Sequence, residues 1–443
     1  MVEHMEVNQL FHPSHHGYRA NHNTCTALIE LYDSWVEASE RGELAGVCMV
    51  DLSAAFDCVD HNLLLQKMEV MGFNNMAMGW SKSYLENRQQ CVYIDGSQSE
   101  FLSVEVGVPQ GSILGPLFYL LYTNDLPEVM HEEHCHYNQL KMNRFNTMCV
   151  ECGGMAVFAD DSTVTVTDPD PEVLSHKLTE KYNHIANYFT DNRLKVNDDK
   201  THLLVMMTKQ KRKHMHIDVQ INTPTEVITA STSERLLGIQ IHEGMKWREY
   251  IIDTENSLLK SLNTRINALK MLKRTASFRT RLMVANGIFG SKMLYGLPLF
   301  GGAEEYLLNS LQVVQNKAAR EVTKKNIFTP VSILLKETGW LSVRQLIFYH
   351  SVLLVYKVRE TSLPQHLSDK LKNEYKYDTR VSKTNIVKWG SQFKANNSLT
   401  KKSWRWRGSI NYNQVPEDIK NNPVLSKFKM KLKHWVRQNI PIK

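Results

Sequence analysis

FADDSTV, residues 158–164, sets two aspartates side by side between the apolar run GGMAVF and an alternation of Thr and Val. Both flanking runs read as strands and the aspartates as the turn that joins them. Carboxylates held this close repel, so at least one should resist ionisation unless a cation relieves the conflict. An isolated Asp-Asp pair is ordinarily a solvated turn. A second stretch shifts that balance. LAGVCMVDLS (44–53) is a short Val-rich apolar run that reaches Asp51 between Gly and polar residues, and it reads as a buried strand. Three carboxylates on structured, largely buried elements suit a hard divalent cation. Mg²⁺ is held by carboxylate oxygens together with substrate phosphates. Two such ions ~3.5–4 Å apart clamp the attacking and leaving oxygens of a phosphoryl transfer.

Around these strands the pattern alternates between helix and sheet. TCTALIELYDSWVEASERGE (24–43), HNLLLQKMEVMGF (61–73) and NMAMGWSKSYLENR (75–88) carry apolar residues at helical spacing. QCVYIDGSQSEFLSVEVGV (90–108) alternates about Asp-Gly-Ser and predicts a hairpin. SILGPLFYLLYTNDLPEVM (112–130) predicts a buried helix after a Pro-Gln-Gly turn, and the segment from Pro171 to Asn197 a long amphipathic one. KTHLLVMM (200–207) and ERLLGIQI (234–241) predict strands, with a basic mobile connection, TKQKRKHMH (208–216), between them. Beyond about residue 246 the pattern is mostly helical.

The net charge of +7 conceals an asymmetry. Residues 255–443 hold 34 Lys+Arg against 11 Asp+Glu, a balance of +23. Subtraction from the chain totals of 53 and 46 leaves 19 against 35, or −16, for residues 1–254. A basic half of this size suits a polyanion, and the acidic half suits cations. Lys-rich helix surfaces are the plainer alternative. At 443 residues the chain is long enough for two or three domains. Its 42% hydrophobic and 22% charged content is that of a globular protein. No apolar run approaches the ~18–20 residues that span a bilayer, and the polar, His-rich start is unlike a secretory leader. Both features point to an intracellular protein, nuclear or cytoplasmic, without a membrane partner. Seven cysteines, an odd number without regular spacing, read as reduced thiols.

Five stretches occur in order: DLSAAFDCVDH (51–61), GVPQGSILGPLFYLLYTNDLP (107–127), FADD (158–161), LKVNDDKTHLLVM (194–206) and RLLGIQI (235–241). Together they resemble the successive palm motifs of reverse transcriptases, specifically those of non-LTR (LINE-type) retrotransposons. HHGYRANHNTCTALIEL (15–31) and YLENRQQCVYIDG (84–96) are similar to the same family, and the likeness runs from roughly residue 15 to 345. It implies an α+β right-hand polymerase. The expected parts are a partial fingers segment (1–43), a palm with an antiparallel sheet (44–245), a helical thumb (246–345) and a basic helical C-terminal extension (346–443). The implied function is RNA-directed DNA synthesis from dNTPs on an RNA template and DNA primer, with Mg²⁺ or, in its place, Mn²⁺. A catalytically inactive nucleic-acid-binding remnant of such a polymerase is the alternative.

The resemblance also assigns roles. Asp51 and Asp160 become the principal metal ligands with Asp161 beside them, and the carbonyl of Leu52 faces a metal. Phe56 lies under the incoming sugar and excludes a 2′-hydroxyl, core packing being its other reading. Gln110 and Gly111 approach the nascent base pair, and glycine permits close backbone approach. Lys200 sits near the triphosphate as a proton donor to leaving pyrophosphate, or is a solvated surface lysine. Leu237 and Gly238 support the primer terminus, with Gly238 making a tight turn, a plain core strand being the other reading. Arg19 is a candidate phosphate contact in the fingers segment. Lys270, Lys273, Arg274, Arg279 and Arg281 would grip the primer–template duplex through its phosphates. In KKSWRWRGS (401–409), Trp404 and Trp406 would either stack on single-stranded bases or pack against helices. His131, His134, Cys135, His136, Cys149 and Cys152 hold zinc-ligand chemistry. Their irregular spacing within an insertion loop at about 129–152 instead suggests incidental thiols and no zinc. The chain begins close to the first matched segment, as expected of a truncated piece of a longer retrotransposon protein. It shows no second carboxylate cluster of the RNase H kind.

Overall fold

The computed structural model describes residues 1–131, 148–149, 153–214, 217–224, 226–371 and 398–442. The chain divides into two compact units. One comprises residues 1–27 and 41–232, the other residues 28–40 and 233–443, so the helix Thr24–Arg41 contributes to both.

The first unit is built on a seven-stranded sheet. Its strands are β1 (Leu44–Val50), β2 (Met148–Cys149), β3 (Gly153–Phe158), β4 (Asp161–Asp168), β5 (His202–Met206), β6 (Gln220–Asn222) and β7 (Val227–Ser231). Their spatial order is β6-β7-β5-β1-β4-β3-β2. All neighbours are antiparallel except β5 and β7. β1 is central and buried along its whole length, which explains why it reads as a continuous apolar run rather than an alternating one. The helix Pro171–Asp191 packs on the sheet through Leu174, Leu178, Tyr182, Ile185 and Phe189. It starts at Asp170, whose carboxylate accepts from the amides of Glu172 and Val173. Leu178 sits so close that a Cβ at Gly46 would meet its Cδ1 at 2.5 Å, which fixes glycine at that point of β1.

The short helices His61–Val70 and Asn75–Leu85 are capped by Asp60 and Asn74. The expected hairpin consists of two nested ribbons, Gln89–Gln90 with Leu102–Ser103 and Tyr93–Ile94 with Ser97–Gln98. Asp95 and Gly96 at its tip both have positive φ (49° and 85°), the requirement of a tight two-residue hairpin turn. Two expectations differ from the structure. Residues 209–214 of the basic connection are helical. ERLLGIQI is not one strand but a hairpin, Ser233–Leu236 with Ile239–His242, turning at Leu237 (φ 45°) and Gly238 (φ 78°). The strand β6 ends an alternating apolar–polar run, IDVQIN (217–222), that the sequence reading passed over, and β7 has no clear alternation and is recognisable only from its pairing.

The second unit is helical beyond that hairpin. Leu258–Thr275, Glu305–Thr323, Val343–Thr361, Trp404–Gln414 and Leu425–Asn439 are its longer helices. Trp404 is 1% exposed and belongs to the core, so packing rather than base stacking is its role. Arg281 is also buried. It donates to the carbonyls of Val322 (2.8 Å) and Ala276 (2.6 Å) and does not face a duplex, and Lys273 is paired with Glu321 at 3.0 Å. Lys270, Arg274 and Arg279 are exposed. No helix among the described residues is long and apolar enough to cross a membrane.

Candidate active site

The antiparallel register of β1 and β4 brings the carboxylates together. Val50 pairs with Ser162, so one further residue on each strand sets Asp51 opposite Asp161. Asp160 belongs to the two-residue turn that closes β3 onto β4, between the paired Phe158 and Asp161. The other turn residue, Ala159, has φ 59°, a left-handed conformation that costs a non-glycine residue energy and tends to persist at functional sites. Burial, then the nearby charges of Asp160 and Asp51, push the Asp161 carboxyl up to about 6. An all-oxygen donor set, in which Asp161 already feels the charge of the other two, suits a hard divalent cation in chemistry.

The backbone on both sides of Asp51 is pinned. Leu52–Ser53 pairs with Lys195–Val196, and the Asn197 amide donates to the Asp51 carbonyl at 2.9 Å. Leu52 is buried opposite Val196. Lys200 is exposed in the single helical turn Asp198–Lys200, three residues beyond that contact with Asp51.

Phe56 and the Pro-Gln-Gly turn also meet. The Phe56 carbonyl accepts from the Val108 amide at 2.9 Å, and the Gln110 amide donates to both Asp57 oxygens at 3.1 Å. Gly111 has φ 76° and open space where a Cβ would stand. The Phe56 ring stacks on Tyr119 (centroids 4.6 Å, 24°). The Tyr119 phenol is pushed upward by burial first, then by Asp160, Tyr18 and Asp161. Phe56 is therefore fixed on Tyr119, whose phenol feels the charge of the aspartate turn.

Sequence reasoning missed the support beneath the turn. His15 bridges β3 at Val157, the His16 amide donates to the Val157 carbonyl (2.8 Å), and the Val157 amide donates to Ser14 (2.9 Å). Gly17 then lies against the turn itself, for a Cβ there would stand 2.5 Å from the Ala159 nitrogen. Burial and Asp160 raise the phenol of Tyr18. The only sequence signal was a glycine in HHGYRA, and its partner is about 140 residues away. Arg19, in the same segment, donates from Nη1 to the carbonyls of His12 (2.8 Å) and His15 (3.0 Å). It also lies 5.0 Å from the Phe11 ring, bracing the segment.

Leu237 and Gly238 belong to the second unit. There the Tyr295 hydroxyl donates to the Leu237 carbonyl at 2.5 Å and lies 3.4 Å from where a Gly238 Cβ would be. The zinc-type cluster falls largely outside the described residues: His134, Cys135, His136 and Cys152 are not described, and of Cys149 only the strand is.

The family model described as reverse transcriptase (RNA-dependent DNA polymerase) matches residues 1–241, over half of the chain and the whole of this site. The chain belongs to the reverse transcriptase family. Relatives of this reverse transcriptase include the RNA-directed DNA polymerase from mobile element jockey of Drosophila funebris, 25% identical over 318 residues. That alignment covers 72% of this chain and 32% of the relative. The probable RNA-directed DNA polymerase from transposon BS of Drosophila melanogaster is 25% identical over 340 residues, covering 76% and 36%. These relatives place it with the non-LTR retrotransposon enzymes. The chain spans about a third of the length of the curated relatives it matches. Among solved structures, apo telomerase from Candida tropicalis superposes with a TM-score of 0.41 at 11% identity, covering 82% of this chain and 53% of that one. The family works with divalent metal ions, which agrees with the all-oxygen donor set.

Proposed function

We propose that this chain is an RNA-directed DNA polymerase domain, in which the first unit contains the palm and the second the thumb. The observation that carries this reading is the convergence of Asp51, Asp160 and Asp161 at the ends of β1 and β4, where burial and like charge raise Asp161. That arrangement is costly unless countercharge arrives with substrate. In this reading an RNA template pairs with a DNA primer, and the primer 3′-hydroxyl attacks the α-phosphorus of a dNTP and releases pyrophosphate. Asp51, Asp160, Asp161 and the Leu52 carbonyl would hold divalent cations, Mg²⁺ or Mn²⁺, which when bound would neutralise charge on the attacking and leaving oxygens.

The chain's own residues position the reactants. The Phe56 ring, fixed by its stack on Tyr119, presents a wall where a ribose 2′-hydroxyl would need room. Gln110, oriented by Asp57, and Gly111, without a side chain, flank the base pair being formed. Lys200 donates a proton to the leaving pyrophosphate. Leu237 and Gly238, held by Tyr295, support the primer end. The exposed Lys270, Arg274 and Arg279 contact duplex phosphates.

Primer extension on poly(rA)/oligo(dT) with Mg²⁺ or Mn²⁺ tests this. Extension by the chain should be lost in Asp160→Asn/Asp161→Asn, with duplex binding nearly unchanged. Absence of extension from both proteins, with salt-sensitive binding retained, would leave a nucleic-acid-binding remnant instead.

A further inference from the structure

The second unit contains a cavity of about 280 Å³ between the segment Asn286–Leu294, the loop Gly339–Leu341, the helix Val343–Thr361 and the C-terminal helix Leu425–Asn439. Its walls are mostly apolar and partly aromatic: Phe289, Met293, Trp340 and Tyr349. The Phe289 and Trp340 rings are nearly parallel, 11° apart with centroids at 6.0 Å. Polar groups are few and placed. The Trp340 indole donates to the Asn286 side-chain carbonyl at 2.8 Å, which orients the Asn286 amide N–H groups. A cavity of ~150 Å³ already accepts benzene, so this one has room for a larger planar ring.

Charge gathers at the same place. Lys433 lines the cavity, and Lys429 and Arg437 precede and follow it by one helical turn on the same helix face. Lys357, on the neighbouring helix, is held below its usual range by burial and by the charge of Lys429. Lys433 is held down by burial and by Arg437. His350, which also lines the cavity, is pushed down to about 4 by burial, Lys357 and Lys429, so it is a neutral hydrogen-bonding ring at pH 7. A row of crowded cations beside an aromatic slot with an amide in its wall matches a nucleotide in charge and in shape. The cations face phosphates and the slot takes the base.

The geometry points to a second nucleic-acid site, separate from the carboxylate centre: one unstacked base of a single strand occupies the cavity, and the flanking phosphates lie on Lys429, Lys433 and Lys357. A duplex, with its bases paired and stacked, cannot enter. This site goes beyond the polymerase reading and does not depend on it.

Gly290 offers a clean test. It lines the cavity, and the nearest atom a Cβ there would meet is the Ala285 carbonyl oxygen, at 3.7 Å, so a side chain can start at this position, and Gly290→Leu is the substitution that narrows the cavity. The host is the full chain carrying Asp160→Asn/Asp161→Asn, which separates binding from synthesis. A short single-stranded oligoribonucleotide containing 2-aminopurine is titrated by fluorescence. Entry of the base quenches the probe. Gly290→Leu should abolish the quench and weaken single-strand binding about tenfold, with an unchanged melting temperature and unchanged RNA–DNA duplex binding. Lys429→Gln/Lys433→Gln should lower the salt slope of binding by ~1.4, two phosphates at ~0.7 each. The deoxy form of the same oligonucleotide distinguishes RNA from DNA as the source of the strand. The proposal is overturned if Gly290→Leu keeps both quench and affinity, if duplex competes as well as single strand, or if anionic vesicles bind the Lys429–Lys433 face and the oligonucleotide does not. Primer extension by the unsubstituted chain is read separately, so either reading fails alone.

Discussion

A Cβ added at Gly17 would stand 2.5 Å from the Ala159 nitrogen, and the atoms it meets next are also backbone. No side chain can swing away to relieve that clash, so the strand 153–158 or the aspartate turn must move. Displacement of a catalytic group by about 1 Å costs ~100-fold in rate. Gly17→Ala should therefore lower kcat for primer extension by roughly that factor, while the melting temperature falls only modestly, because the added Cβ shifts the end of the sheet at the turn and opens no cavity in its core. An unchanged kcat would mean that the N-terminal segment does not position Asp160. The carboxylates themselves were legible in sequence, because acidic residues at the end of an apolar run are rare and local. Gly17, Tyr18 and Tyr119 were not legible. Each acts on the site through a contact made by folding, and nothing in the neighbouring residues announces that contact.

At the level of the element, the β3–β4 hairpin joins local strain to long-range register. Ala159 at φ 59° occupies a position that glycine would fill at lower cost. Ala159→Gly should relieve ~1–2 kcal/mol of left-handed strain but add flexibility to the unfolded chain, for a net gain of about 0.5 kcal/mol in denaturant unfolding. The same substitution loosens the turn that carries Asp160, so extension activity should fall while stability rises. A rise in both would show that the strain does no catalytic positioning. Elements with strong periodicity or a turn signature were read correctly in kind, such as the Asp95-Gly96 hairpin tip and the helix expected from Pro171 to Asn197, which ends at Asp191 because Lys195–Val196 pairs as a strand with Leu52–Ser53. ERLLGIQI was read as one strand from its apolar content, the tight turn at Gly238 being expected from the family resemblance alone, and the left-handed pair Leu237–Gly238 makes it a hairpin. β6 was overlooked although IDVQIN (217–222) alternates apolar and polar residues, and β7 escaped because its five residues alternate too weakly to be seen without a partner.

For the molecule as a whole, composition overstated the surface available to a polyanion. Among the cations counted in the basic half, Arg281 and Arg405 are buried, and Arg407 is committed to the carbonyls of Lys402 (2.9 Å) and Pro298 (2.7 Å). Within the second unit Arg405 is ion-paired with Glu37 and lies 3.6 Å from Asp33, and Lys370 reaches Glu37 at 3.2 Å. Burial pushes the Asp33 carboxyl from 3.8 up to about 6 against the pull of Arg405. Burial also works to raise Glu37, but Lys370 and Arg405 outweigh it and hold Glu37 down at about 2. The two groups act with opposite sign on stability. Glu37 binds fewer protons folded than unfolded, so its contribution is present above pH 4.5 and is lost as pH falls towards 2. Asp33 binds more protons folded than unfolded, so the protein loses stability as pH rises from about 4 to 6, on the order of 3 kcal/mol in all. Asp33→Asn removes that loss. Its melting temperature should decline less between pH 4.5 and 7 than that of the unsubstituted chain, the remaining decline coming from Asp161, which is also raised to about 6. Arg405→Met, which takes the guanidinium from the buried Asp33 and leaves Glu37 with Lys370 alone, should cost about 3–5 kcal/mol at pH 7, and less at pH 5, where Asp33 is protonated. Parallel pH profiles for the unsubstituted chain and Asp33→Asn would show that Asp33 is ionised throughout and that the pairing with Arg405 overcomes its burial.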